Sequence, residues 1–331
     1  MPFFANIGDN QRWTDLGIIM PTDTQPARID RHAHLEGSLD HDWVRKKGGG
    51  APDCLEALWR GEAQPFEAFI DAFFFAARLI TDAEAVRGAV GAAVARLPDG
   101  EGPAGIDMWC SPQTLVLDWK QIKLDEIWKG VESGIADAKK SGVEIVLILD
   151  AVNHFGPGNG HALLDLVEHD LPPFVVGFST GGLERVPFRE WAPVFERARK
   201  LGLRCAAHAG ENGPASNVRD AIEDLGLDRI VHAVRSPNDP SILELLAEKG
   251  TCVDVCITSN YALVPEIKKH PLKTMMDAGV RCALGTDDPG IIPATLRGEW
   301  DKAAALLEDD AQMARLRQNA ADGAWCLQNG K

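Results

Sequence analysis

The sequence predicts an α/β protein folded as a (β/α)8 TIM barrel, with a helical insertion after the first strand and extra helices at the C-terminal end. Three observations carry that expectation. Short apolar runs alternate with helical patterns from Ile29 onward, and such alternation implies a parallel sheet. The runs number eight, which is how many βα units close a barrel. Gly142, Gly202, Gly250 and Gly279 each fall where a helical pattern gives way to an apolar run, the usual place for a glycine that stops a helix.

In chain order, residues 1–27 read as an N-terminal arm, and Met1–Gln25 lacks the basic start and continuous apolar middle of a signal peptide. The first strand starts at Ile29. A helical insertion at 40–100 follows, with an aromatic-rich pattern at 66–79 and an alanine-rich one at 82–97. Strands are then expected at 105–109, 143–149, 174–178, 204–207, 229–234, 252–256 and 281–284. Helices are expected at 124–140, 160–169, 189–201, 215–225, 241–249 and 272–278. Residues 294–331 would pack as helices outside the barrel. The whole chain, 1–331, is read as one barrel domain, a size at which α/β barrels occur as single units.

Composition narrows the function. A formal net charge of -15 argues against nucleic acid as a partner and fits a small uncharged or cationic substrate. No apolar run approaches the length that crosses a bilayer, so no membrane partner is expected. The seven cysteines are odd in number and scattered, several within apolar runs. They read as reduced core thiols of a cytoplasmic protein. Cys252 and Cys256 lack a second Cys or Cys/His pair to complete a structural zinc site, so core packing is expected of them. Oligomeric state leaves no signal in the sequence.

The chemistry starts at His32-Ala33-His34. Residues two apart on a strand face the same way, so both imidazoles can grip one ion. Other polar residues interrupt the apolar pattern at later strand ends: His208 and Glu211 after strand five, His232 in strand six, Asp287 and Asp288 after strand eight. In a barrel these ends converge on one mouth. Three imidazoles and a carboxylate suit Zn²⁺ with a position left for water. His32, His34, His208 and Asp287 are therefore the expected ligands of one Zn²⁺ per chain, an ion that brings the pKa of water from 15.7 towards about 7.

His32-Ala33-His34-Leu35-Glu36-Gly37-Ser38-Leu39, His208-Ala209-Gly210-Glu211, Thr258-Ser259-Asn260 and Thr286-Asp287-Asp288-Pro289 together resemble the adenosine/adenine deaminase family of metal-dependent hydrolases, within the amidohydrolase superfamily. They occur in the family's order, with His232 between the second and third. The resemblance implies hydrolysis of an aminopurine base or nucleoside with release of ammonia. It implies that Glu211 protonates purine N1, that His232 orients and deprotonates the attacking water, and that Asp288 bonds the attacking oxygen and purine N7. For substrate binding it implies a backbone N–H at Gly182 aimed at N3, with Glu36 where the family meets the sugar.

The departures surround the substrate. Glu36 stands where adenosine-specific members usually carry Asp, while adenine and aminodeoxyfutalosine deaminases more often have Glu. Ile257, Ala233 and Gly285 replace the usual Pro, Gly and Asn, and Ser179-Thr180 the usual Asp-Leu. Strand two carries Asp107-Met108-Trp109-Cys110-Ser111-Pro112 where Glu and Arg are more usual. The second reading is a related mononuclear amidohydrolase acting on another amino-heterocycle, an amide or a lactone, and the third a catalytically silent metal-binding barrel. No lysine ends strand four to bridge two metals, and the signature of base-flipping deaminases is absent. His41, His154, His161, His169 and His270 match no family ligand and are expected at the surface or in loops.

Overall fold

The computed structural model describes residues 27–328 apart from residue 101. The expected arm at 1–27 therefore lies outside the described residues, except for Ala27. Eight parallel strands pair in sequential order: β1 (Arg28–His34), β2 (Ala104–Cys110), β3 (Val143–Val152), β4 (Val175–Gly181), β5 (Arg204–Ala209), β6 (Arg229–His232), β7 (Cys252–Val255) and β8 (Arg281–Leu284). Ala33 bridges Asp287 in parallel fashion, drawing the end of β8 onto β1. The result is a nearly closed barrel wrapped in helices. Most strand residues are buried, as expected of parallel strands covered on both faces.

Two strands run further than their apolar cores. β3 continues through Asp150 to Val152 and β4 through Ser179 to Gly181, because Asp150↔Ser179, Ala151↔Thr180 and Val152↔Gly181 stay in register. Backbone pairing there overrides the polar residues that end the apolar pattern.

Among the described residues, four α-helices stand between β1 and β2: α1 (His41–Gly48), α2 (Asp53–Trp59), α3 (Phe66–Ala77) and α4 (Ala83–Val94). The sequence pattern shows only the last two, since α1 and α2 have eight and seven residues, too few for periodicity to register. Asp40 caps α1 by accepting from the Trp43 N–H. A further short helix at Ile257–Leu263 carries Thr258, Ser259 and Asn260, where no helix was expected. Two helices, Leu296–Leu307 and Asp310–Gly323, complete the outer layer. Among the described residues no helix is long and apolar enough to cross a membrane.

The barrel interior is filled in steps. Ile29, Trp109, Val146, Ile148, Ala206, Val231 and Cys256 pack with Trp325 and Cys326 of the C-terminal segment. Arg31 and Arg229 meet Asp107 and Asp254 in the same interior, with Arg31–Asp254 at 3.0 Å and Arg229–Asp254 at 3.1 Å. Two positive and two negative groups balance, which buried charges require. The Arg229 guanidinium lies 4.1 Å over the Trp325 ring, and the Trp325 and Cys326 N–H groups donate to Asp107 at 2.9 and 2.8 Å. The C-terminal segment thus seals the barrel opposite the histidines.

Candidate active site

β1 positions the first two histidines through an irregularity. The pairing of β1 with β2 shifts register between Asp30 and Ala33. Ile29 and Arg31 face the interior below the shift, and His32 and His34 face it above. A strict period of two would have sent one pair outward, and a local bulge re-aims side chains in this way. Asp30, outside, accepts from the His32 N–H at 3.2 Å and from the Thr286 N–H and hydroxyl at 3.1 and 2.6 Å. Gly285 packs on His32 so closely that a Cβ would fall 2.7 Å from the His32 Cβ. This explains the glycine in place of the family's usual Asn as a backbone close approach.

His32, His34, His208 and Asp287 each offer an atom within 4.8 Å of the others, and all four residues are buried. The His208 Nε2 lies 3.2 Å from the His32 Nε2 and 3.3 Å from the His34 Nε2, and the Asp287 Oδ1 is 3.1 Å from the His32 Nε2. The Nδ1 of His208 donates to the Thr180 carbonyl at 3.1 Å, which leaves its Nε2 lone pair aimed inward. Burial pushes the pKa of His32 and His34 well down, with neighbouring imidazoles adding to the effect, and burial also lowers that of His208. Neutral imidazoles crowding a carboxylate form a nitrogen and oxygen donor set that a divalent cation fits. Cys256, with His232 and Asp287, makes a second close group that shares the Asp287 carboxylate. Like the other cysteines it is free, and all but Cys54 are buried.

Glu211 follows β5 on a loop held by one carboxylate. Glu184 accepts from the backbone N–H groups of Gly210, Glu211, Asn212 and Gly213 at 2.9–3.1 Å and from Asn217 at 2.8 Å. The Glu211 Oε1 is buried without a partner. Burial first, then the charges of Asp287 and Glu184, push the Glu211 pKa well up, which favours its protonated form. Asp288 is buried with a free Oδ1, and burial and the adjacent Asp287 raise its pKa well above the usual range. That oxygen rests on Gly37, where a Cβ would fall 1.8 Å away.

His232 ends β6 with φ +70°, Ala233 follows at +48° and Asp287 stands at +67°, all in the left-handed region that L residues enter at a cost. Ala233 thus occupies a conformation suited to the family's usual Gly. The His232 Nε2 is 3.5 Å from the Glu211 Oε1. Its Nδ1 is 3.0 Å from the Asn260 Nδ2, and the Asn260 Oδ1 is 3.1 Å from the His270 Nε2. His270 is therefore no surface residue but a buried one, two steps behind His232. The sequence hid this because the contact spans elements far apart in the chain.

The cleft above these groups is lined by His34, Ser111, Asp150, His154, Gly182, His208, Glu211, His232, Asp287 and Asp288. Phe66, Phe69, Ile70, Phe73 and Phe74 of α3 cover it. No Lys or Arg is among the lining residues. His154 is a cleft residue rather than a surface one, accepting from the Leu183 N–H at 3.2 Å. His41 stacks on Trp59 with ring centroids 4.7 Å apart. His161 is half-buried and His169 exposed.

Gly182 lines the cleft at φ +84°. Glu36 does not. Its Oε1 accepts from the Ser111 N–H at 2.8 Å and from the Cys110 thiol at 3.4 Å, one layer behind Ser111. Asp150 and Glu184 went unread in the sequence. Asp150 had a usable signal, since it interrupts an apolar strand at its C-terminal end as the other site residues do.

A family model described as adenosine deaminase matches residues 27–331. An adenine deaminase of Cupriavidus pinatubonensis is 30% identical over 310 residues, covering 90% of this chain and 87% of that one. The crystal structure of an adenine deaminase from Arthrobacter aurescens aligns with TM-score 0.80 and 22% identity over 92% of this chain and 98% of its own. A zinc-bound amidohydrolase from Burkholderia ambifaria aligns with TM-score 0.79 and 22% identity over 93% and 90%. The last two likenesses bear on the fold alone.

Proposed function

The chain belongs to the adenosine deaminase family, and on that premise we propose that it hydrolyses the exocyclic amino group of an aminopurine and releases ammonia. The observation that carries the reading is the convergence of His32, His34, His208 and Asp287 beside a buried Glu211 whose pKa is raised. Those four residues would hold one Zn²⁺. When bound, such an ion supplies the positive charge that acidifies a water at neutral pH.

The residues of the chain divide the remaining work. Glu211, holding a proton, gives it to purine N1 as oxygen adds to C6, which draws electron density onto the ring. His232 and Asp288 flank the attacking water, and one of them receives its proton. That proton then passes to the departing amino group, which leaves as ammonia; N1 keeps the proton from Glu211, and the water's second proton leaves the C6 oxygen for Glu211 as the carbonyl forms, restoring the acid. Gly182, whose positive φ exposes its backbone at the cleft, would meet N3. The phenylalanines of α3 cover the cleft and exclude water.

Adenine is the first substrate to test. Two relatives that overlap 90% of this chain carry that name, and Glu36, whose Oε1 accepts from the Ser111 N–H, is not among the residues that line the cleft to meet a sugar. A cleft lined by four carboxyls and no Lys or Arg is poorly suited to a phosphorylated substrate. Asp150, with a buried free Oδ1 at this cleft, favours as second reading a different amino-heterocycle with an additional donor.

The test is ammonia release by zinc-loaded protein from adenine, adenosine, aminodeoxyfutalosine, N6-substituted adenines, pterins and pyrimidines. Turnover of a purine is expected, with Glu211→Gln about 10³-fold slower at unchanged metal content. Silence on every purine would sink the proposal.

A further inference from the structure

We propose that His270, acting through Asn260, is a positioning residue that keeps the proton of the His232 imidazole on Nε2, so that His232 meets the attacking water as a hydrogen-bond donor and Asp288 receives the water's proton. The part played by Asp288 rests on the deaminase reading. The tautomer of His232 does not.

The direction of the chain of hydrogen bonds follows from one backbone group. The Leu272 N–H points at the His270 Nδ1 at 3.1 Å, and an amide N–H can only donate, so that nitrogen presents its lone pair. The ring proton of His270 is then on Nε2. Burial agrees, pushing the His270 pKa down to about 3 and keeping the ring neutral. The Nε2–H meets the Asn260 Oδ1 at 3.1 Å, which accepts. The same amide turns its Nδ2 to the His232 Nδ1 at 3.0 Å, and an NH2 group only donates. The His232 Nδ1 therefore carries a lone pair, and the proton of its neutral ring is on Nε2.

Reversing the Asn260 amide fails at the far end. It would move the His270 proton to Nδ1, directly against the Leu272 N–H. His270 and Asn260 are also held in place. The His270 N–H donates to the Tyr261 hydroxyl at 3.0 Å, and Asn260 is buried on the helix after β7. On its free side the His232 Nε2 has the Glu211 Oε1 at 3.5 Å and the Asp287 Oδ2 at 3.9 Å. The Asp287 carboxylate can only accept, so an N–H suits that side. An imidazole protonated at Nε2 has no site there for another proton. As the water oxygen bonds to C6, the proton from its broken O–H bond goes to the Asp288 carboxylate, whose Oδ1 has no partner in the protein.

The experiment inverts the relay with an isosteric change. In Asn260→Asp the carboxylate accepts from both rings, which draws the His232 proton to Nδ1 and frees Nε2. Nitrogen-15 spectra of histidine-labelled protein, with His232 identified by its loss in His232→Gln, should show Nε2 protonated in the wild type and Nδ1 protonated in Asn260→Asp. In the metal-loaded enzyme kcat should fall about 10²-fold with KM near the wild-type value. His270→Phe should leave the two His232 tautomers mixed, and His270→Gln, whose amide keeps a donor for Asn260, should recover most of kcat. An Nδ1-protonated His232 in the wild type overturns the proposal, as does Asn260→Asp with undiminished kcat. Failure on every purine would instead overturn the deaminase reading and leave the wild-type spectrum as the test of the tautomer.

Discussion

The His34 N–H donates to the Asp287 carbonyl at 2.8 Å, and the Asp287 N–H donates to the His32 carbonyl at the same distance. Residues whose side chains converge at the candidate metal centre are thus also the backbone seam that draws β8 onto β1.

Metal and barrel closure should therefore be linked. Zn²⁺ at a hundredfold excess over its Kd adds about 2.7 kcal/mol, worth about 4 °C in Tm for a chain of this size. Chelation followed by a thermal melt should show that drop, with recovery on adding Zn²⁺ back. His208→Ala should hold no stoichiometric metal and melt like the chelated protein. A Tm indifferent to chelation would separate the seam from the ion.

Glu184 gathers four backbone N–H groups around Glu211, and each such charged hydrogen bond contributes on the order of 1.5 kcal/mol or more. Glu184→Ala should lower stability by about 3 kcal/mol in urea unfolding. Hydrogen exchange should quicken at 210–213, and kcat should fall at least about tenfold while metal content stays. Unchanged exchange in that loop would remove Glu184 from its role.

His270 predicts the acid side of the stability curve. Its folded pKa is about 3 against an ordinary 6.5, so between those values the unfolded chain binds the extra proton. Stability from this group is whole above pH 6.5 and falls as pH drops. By pH 5 the loss is about 2 kcal/mol. Urea unfolding at pH 7 and pH 5 should show that loss in the wild type and a smaller one in His270→Gln. Equal losses in both would contradict the assignment.

Arg229 holds Asp107 and Asp254 in the sealed interior. Arg229→Met strands two buried carboxylates with Arg31 alone, a change that costs about 3–5 kcal/mol. Pairing it with Asp107→Asn should recover part of that loss. A single variant as stable as the wild type would show the network to be replaceable.

Much of the fold could be read along the chain because its signals are local. Apolar runs of strand length, glycines at helix ends and the spacing of His32 and His34 all act over a few residues, and all eight expected strands are found. The short helices α1 and α2 and the helix at Ile257–Leu263 carry too few turns to leave a period. His270, Glu184 and His154 work through partners 10, 26–29 and 29 residues away, distances at which a sequence pattern carries no geometric information.

By itself the sequence determined the barrel, the family and the cluster of His32, His34, His208 and Asp287, because the ends of parallel strands share one mouth wherever their residues lie in the chain. Only the tertiary structure decided which way those side chains face and which protons they carry. The register shift in β1 turns His32 and His34 inward although Ile29 and Arg31 already point there. The Leu272 N–H, forty residues beyond His232 in sequence, decides through His270 and Asn260 which nitrogen of His232 bears the proton. Pairing register and hydrogen-bond direction belong to contacts between elements, and they come into being only when those elements meet.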